Sequence, residues 1–103
     1  GDAPGRCLRY RGLTLDPDAV EVRLDGRVLE QLTAREFELL RELLSSPGRV
    51  FTREILLAKL WGYDFFGDER VVDSHIKNLR KKLGVDYIET VRGVGYRVPK
   101  EHP

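Results

Sequence analysis

Five basic side chains, Arg70, Lys77, Arg80, Lys81 and Lys82, fall between residues 70 and 82 against a single acid, Asp73. That density suits phosphate binding, and on charge count alone it suits a solvated helix face equally well. A helical wheel at about 100° per residue tests whether the basic residues share a face, and leaves both readings open because short basic helices are common. Val72, Ile76, Leu79 and Leu83 fall within about 60° of one another and form a stripe to be buried. The opposite face carries Arg70, Ser74, Lys77, Asn78 and Lys81, with Val71 at its margin and no carboxylate. Asp73 and Arg80 share one flank, where Asp73 reads as a local salt bridge or helix brace; His75 and Lys82 share the other. Solvated faces usually mix signs, because interspersed acids and bases form supporting pairs. This face is basic and polar only. Asn and Arg can bond bidentately to adenine and guanine edges, Ser can bond to either, Val71 can meet a thymine methyl, and lysines neutralise phosphates.

A second group of residues lies downstream. Tyr87–Arg92 and Tyr96–Val98 are β-prone runs on either side of Gly93-Val94-Gly95, the pattern of a hairpin. Arg92, just before the glycines, would project from its tip, where a guanidinium can enter a narrow minor groove or simply stand in solvent. Thr90 and Tyr96 lie on the stems, where each hydroxyl can meet a phosphate; core packing is the other reading of Tyr96.

Elements upstream must hold this helix and hairpin in place. Residues 1–6 read as a linker remnant and 101–103 as a tail, leaving 7–100 as the folded domain. From Cys7 to Leu32 apolar residues alternate with polar ones, as in Leu8-Arg9-Tyr10, Leu13-Thr14-Leu15 and Val20–Leu24. That period of two predicts half-buried strands, with turns at Asp16-Pro17-Asp18 and Asp25-Gly26 and a last strand over 27–30. About four antiparallel strands follow. Thr33-Ala-Arg-Glu36 is a capping box opening a helix whose apolar residues include Phe37, Leu40 and Leu44, ended by Pro47-Gly48. Thr52 caps a second helix that runs into Trp61 and stops at Gly62. The 62–68 stretch, with two glycines and three aromatics, is a loop. The third helix starts near Asp68 or Glu69 and ends at Gly84.

Composition limits what this chain can be. Its 103 residues fit one domain, and 18 Lys+Arg against 17 Asp+Glu with 41% hydrophobic residues fit neither a disordered tail nor a membrane protein. No apolar run approaches the roughly 18 residues of a transmembrane helix. A single cysteine forms no internal disulfide and fits the cytoplasm, and with two histidines far apart no metal site is expected. The absence of Met suggests a piece of a longer protein. No paired carboxylates, activated nucleophile or phosphate-cradling loop is evident, so the chain is expected to be no enzyme and to need no cofactor. A winged-helix scaffold binding protein is the other class of reading; it would call for an apolar, aromatic-rich helix face.

Long motifs carry a resemblance across residues 8–98. Leu32-Thr-Ala-Arg-Glu-Phe-Glu-Leu-Leu40, Trp61-Gly-Tyr-Asp, Arg70-Val-Val-Asp-Ser-His-Ile-Lys-Asn-Leu-Arg-Lys-Lys-Leu-Gly84 and Ile88-Glu-Thr-Val-Arg-Gly-Val-Gly-Tyr-Arg97 closely resemble the C-terminal effector domain of OmpR/PhoB-type response regulators. The resemblance implies an α+β winged helix-turn-helix, with an N-terminal four-stranded antiparallel sheet, three helices and a C-terminal hairpin wing. It implies binding to double-stranded promoter DNA, the third helix in the major groove and the wing at the neighbouring minor groove. Recognition-helix contacts carry over to Arg70, Val71, Ser74, Lys77, Asn78 and Lys81, the wing contact to Arg92, and backbone contacts to Thr90 and Tyr96. The Trp61 indole N–H can reach a phosphate, or the ring can be packed. The loop with Tyr63, Asp64, Phe65, Phe66, Gly67 and Asp68 resembles the segment such proteins use to touch RNA polymerase, although Phe65 and Phe66 can equally pin the loop. The family also implies an upstream phosphorylatable receiver domain in the full-length protein of a two-component phosphorelay, and a homodimer on tandem half-sites.

Overall fold

The computed structural model describes residues 7–62, 65, 67–84 and 87–100. The expected linker at 1–6 and tail at 101–103 lie outside the described residues, as do Tyr63, Asp64 and Phe66. Four short strands come first: β1 (Leu8–Tyr10), β2 (Leu13–Asp16), β3 (Glu21–Leu24) and β4 (Arg27–Val28), antiparallel in chain order. The alternation sets their register, since Leu8, Leu15 and Val22 align across one face while Arg9, Thr14 and Arg23 align across the other. Asp16 Oδ1 accepts from the amides of Asp18 and Ala19 at 3.0 and 3.2 Å, closing the β2–β3 turn. Asp25 and Gly26, at φ 52° and 85°, make the tight β3–β4 hairpin. β4 is shorter than its expected 27–30 span, because beyond Val28 the chain leaves the sheet for the first helix, with only the Leu29 amide still bonded to the Val22 carbonyl at 2.9 Å.

Helix α1 (Ala34–Leu44) starts at the Thr33 capping box: the Glu36 amide donates to Thr33 Oγ1 at 3.1 Å and the Thr33 amide donates to Glu36 Oε1 at 3.0 Å. Strand β5 (Phe51–Thr52) runs straight into α2 (Arg53–Leu60), with Thr52 Oγ1 accepting from the Ile55 amide at 3.1 Å. Helix α3 (Arg70–Leu83) is closed by Gly84 at φ 77°. Strands β6 (Glu89–Val91) and β7 (Gly95–Arg97) form the expected hairpin.

One strand was not expected. β5 pairs with β7, so the hairpin is part of a three-stranded sheet ordered β5-β7-β6. A two-residue strand carries no alternation to read, and its partner lies more than forty residues away in sequence. Gly95 makes the pairing possible: a Cβ there would stand 2.1 Å from the Phe51 carbonyl oxygen. The core lies between the two sheets and the three helices, with Leu13, Leu15, Leu39, Leu40, Leu43, Phe51, Leu56, Leu79 and Val98 fully buried. The Tyr10 hydroxyl donates to the Pro99 carbonyl at 2.6 Å, and its ring meets Tyr87 edge-on at 6.1 Å between centroids.

Candidate nucleic-acid interface

The wheel is reproduced in space. Val72, Ile76, Leu79 and Leu83 are buried, and Arg70, Ser74, Lys77, Asn78 and Lys81 are exposed along the opposite side of α3. Val71 is half-buried against the core and keeps only an edge on that face. The stripe of five basic side chains is thinner than its count. Arg80 turns away, donating through Nη2 to Thr90 Oγ1 at 2.6 Å and to the Ile88 carbonyl at 2.9 Å. Lys82 is drawn to α1, donating to Glu36 Oε1 and the Gln31 carbonyl, each at 2.6 Å. Both side chains stand on the flanks, where a helix touches its neighbours, so they serve the fold while Lys77 and Lys81 face outward.

Arg70 begins α3 and is largely exposed. Asp68, rather than Glu69, supports the helix start: Oδ1 accepts from the Arg70 amide at 2.9 Å, while Oδ2 takes Nε at 2.9 Å and Nη2 at 2.7 Å. Hydrogen bonds from Arg70, through side chain and amide, hold the Asp68 carboxyl below its ordinary range. The Nε side of the guanidinium is thus occupied, and the Nη1 end remains for a further acceptor.

Asp73 is a brace, but a long-range one rather than the expected local salt bridge or helix brace. Its Oδ1 accepts from Arg53 Nε at 2.8 Å and from the Tyr96 hydroxyl. Burial works to raise the Asp73 carboxyl, but those two hydrogen bonds outweigh it and hold the group ionised below its ordinary value. Burial and the facing carboxylate push the Tyr96 phenol upward. Of the two roles open to Tyr96, the structure displays the packed one, with the residue 6% exposed and its hydroxyl given to Asp73. A phosphate contact through that hydroxyl would require breaking this bond. Thr90 is exposed, and its oxygen already accepts from Arg80, leaving the hydroxyl hydrogen free to donate.

Arg92 stands exposed at the hairpin tip, where the Val94 amide donates to the Val91 carbonyl at 2.9 Å. Gly93, at φ 76°, occupies the third turn position, which a side chain rarely tolerates at that angle. Val94, 48% exposed beside it, is an apolar tip residue that the sequence reading did not single out. Its signal was the Gly-Val-Gly turn itself.

Trp61 is half-buried, with the Arg35 guanidinium 4.7 Å above its ring and His75 edge-on at 5.1 Å. His75 directs Nδ1 to the Val71 carbonyl at 2.9 Å. Phe65, at 6.4 Å from Trp61, also rests against Gly67, where any Cβ would strike the Phe65 ring; this is the pinning role. Gly67 and Asp68 are exposed, whereas Tyr63, Asp64 and Phe66 lie outside the described residues. An open groove of about 660 Å³ lies beside α2, lined by described residues that include Ile55, Ala58, Lys59, Gly62 and Phe65. Arg53 and Arg35 were missed in the sequence: no local spacing announces partners twenty or more residues away.

Comparison with known proteins finds relatives along most of the chain. A family model described as "Transcriptional regulatory protein, C terminal" matches residues 27–98. Regulatory protein VanRB of Enterococcus faecalis is 52% identical over 91 residues, which cover 88% of this chain and 41% of that protein. The chain spans about two fifths of the length of the curated relatives it matches. Among solved structures, the DNA-binding domain of Bacillus subtilis CssR is 39% identical, with a TM-score of 0.76 covering 84% of this chain and 98% of that one. The Klebsiella pneumoniae RstA DNA-binding domain, solved in complex with the RstA box, is 34% identical, with a TM-score of 0.82 covering 91% and 97%.

Proposed function

The chain belongs to the family of C-terminal domains of transcriptional regulatory proteins, and from that premise we propose that it is the sequence-specific, double-stranded DNA-binding effector domain of a two-component response regulator. The observation that carries this reading is the exposed face of α3, where Arg70, Ser74, Lys77, Asn78 and Lys81 stand together opposite a fully buried stripe and the helix itself contributes no carboxylate to that face, Asp68 before its first turn being paired with Arg70. A solvent-facing helix of a monomer has no need of such sorting. Placed in a major groove, Arg70, Ser74 and Asn78 meet base edges, Lys77 and Lys81 meet phosphates, and Val71 offers its exposed edge to a methyl group. The wing then brings Arg92 to the adjoining minor groove, with Val94 beside it and Thr90 toward the backbone. That the RstA domain was solved with its own DNA box supports the assignment.

At the level of the longer protein, an upstream receiver domain is phosphorylated and favours a homodimer, so that two copies occupy tandem half-sites on promoter DNA in the cytoplasm. The 62–68 segment, with the groove beside α2 that Gly62 and Phe65 help line, is the surface offered to RNA polymerase. Duplex selection from a random library at physiological salt tests the central reading. A motif recurring at about one helical turn supports tandem recognition. Retention of no duplex even at low salt overturns it and moves a protein-binding scaffold to first place.

A further inference from the structure

The wing is fastened to α3 at two separate points, by side chains that are not on the reading face. At the first, Asp73 Oδ1 receives the Tyr96 hydroxyl from β7 and Arg53 Nε, at 2.8 Å, from the first turn of α2. At the second, two helical turns and about 10 Å further along α3, Arg80 forks onto the Ile88 carbonyl, with Nε at 3.2 Å and Nη2 at 2.9 Å, and onto Thr90 Oγ1 of β6 at 2.6 Å. The Tyr96 ring lies between these points, with the Arg53 and Arg80 guanidinium carbons 6.0 and 5.7 Å from its centroid. Each strand of the hairpin is therefore tied to a different turn of the helix. β7 is already held by its pairing with β5; the two side-chain ties, one on each strand of the hairpin, add a fixed tilt, and with one alone β6 and the tip could tilt about β7.

We infer that Asp73, Arg80 and Tyr96 are positioning residues that clamp the wing at a fixed offset from α3, so that Arg92 and the helix face engage DNA as one bivalent unit of set span. The inference rests on the DNA-binding reading above and adds to it how the two contacts are coupled. Because the two contacts share one chain the second is intramolecular in any case; a rigid link raises its effective concentration and removes the ordering cost that a mobile hairpin would incur on binding. Tyr96 then acts through Arg92 and touches no phosphate itself.

A double-mutant cycle on a selected duplex tests this, using Arg92→Ala, Tyr96→Phe and, as a control for helix contacts, Lys77→Ala. Arg92→Ala is expected to weaken binding about tenfold in the parent chain and less than about threefold in the Tyr96→Phe background. The cost of Lys77→Ala should be equal in both. Arg80→Gln, which opens the other tie and leaves Tyr96 in place, should shrink the cost of Arg92→Ala in the same way. Amide exchange at Val91–Val94 should quicken in both clamp variants without DNA. An undiminished cost of Arg92→Ala in both clamp backgrounds overturns the clamp, as does a Tyr96→Phe effect that is only a salt slope lowered by about one, the mark of a lost phosphate contact. A parent chain with no selective duplex binding overturns the DNA reading itself, a result distinct from either.

Discussion

Asn78 and Lys77 are neighbours on the exposed face of α3, one a neutral amide with a donor and an acceptor, the other a point charge. An amide that bonds an adenine edge discriminates among bases, whereas an ammonium on a phosphate does not. Asn78→Ala is therefore expected to lose roughly 1–3 kcal/mol against the preferred site and to relax selection at one base pair. Lys77→Ala should weaken every duplex alike and reduce the salt slope by about one. Titrations of matched and single-substituted duplexes over a range of salt check both, and identical effects on all sequences in the two variants would refute the division of roles. Arg70 differs from either neighbour, because Asp68 holds one side of its guanidinium and thereby restricts the directions in which it can be offered.

Among the elements, β5 most changes the expected architecture. Because the Gly95 backbone lies directly against Phe51, Gly95→Ala must push β5 and β7 apart. The expected cost is about 1–3 kcal/mol in unfolding free energy, measurable by urea denaturation, with loss of amide protection in β7. A small change with no local exchange effect would mean that the strands separate freely. The elements with their own periodicity were legible without coordinates: the stripe at Val72, Ile76, Leu79 and Leu83 fixed which side of α3 is outside, and Thr33 and Thr52 marked both helix starts. What sequence could not display is who meets whom across the fold. Arg53 reaching Asp73, Lys82 reaching Glu36 and β5 reaching β7 are all long-range pairings; together with Arg80 turned onto the hairpin and Tyr96 onto Asp73, they take two of the five counted basic side chains into the fold and brace Tyr96 within it.

Across the described residues, Glu36 and Asp73 are carboxylates that join elements and are held below their ordinary pKa. Glu36, 3% exposed, links α1 to α3 through Lys82, and Asp73 links α3 to α2 and the wing. Burial works to raise the Glu36 carboxyl, but the Lys82 ammonium and the Thr33 amide overcome it and hold it below its ordinary 4.5; Asp73 is held below 3.8. Above those ordinary values both groups are ionised whether the chain is folded or not, and their stabilisation is complete. As the pH falls below them the unfolded chain binds protons first, so stability declines until the lowered folded pKa values are passed. Denaturant midpoints measured from pH 6 to pH 3 should therefore drop, and Glu36→Gln and Asp73→Asn should each flatten that decline. An unchanged slope in both would place the acid sensitivity elsewhere.

The bond from the Tyr10 hydroxyl to the Pro99 carbonyl makes the first strand a neighbour of the last described residues. A short bridge in place of residues 1–6 and 101–103 could therefore join Cys7 to Lys100 into a ring, and the exposed turn at Asp18–Val20, where Val20 has a φ of 51°, offers a place to reopen it. Such a circular permutant should melt close to the parent and retain its duplex affinity, as thermal scans and binding titrations would register. The order of synthesis and the arrangement in space are then separable, and α3 and its wing, written in the second half of the chain, could be made first.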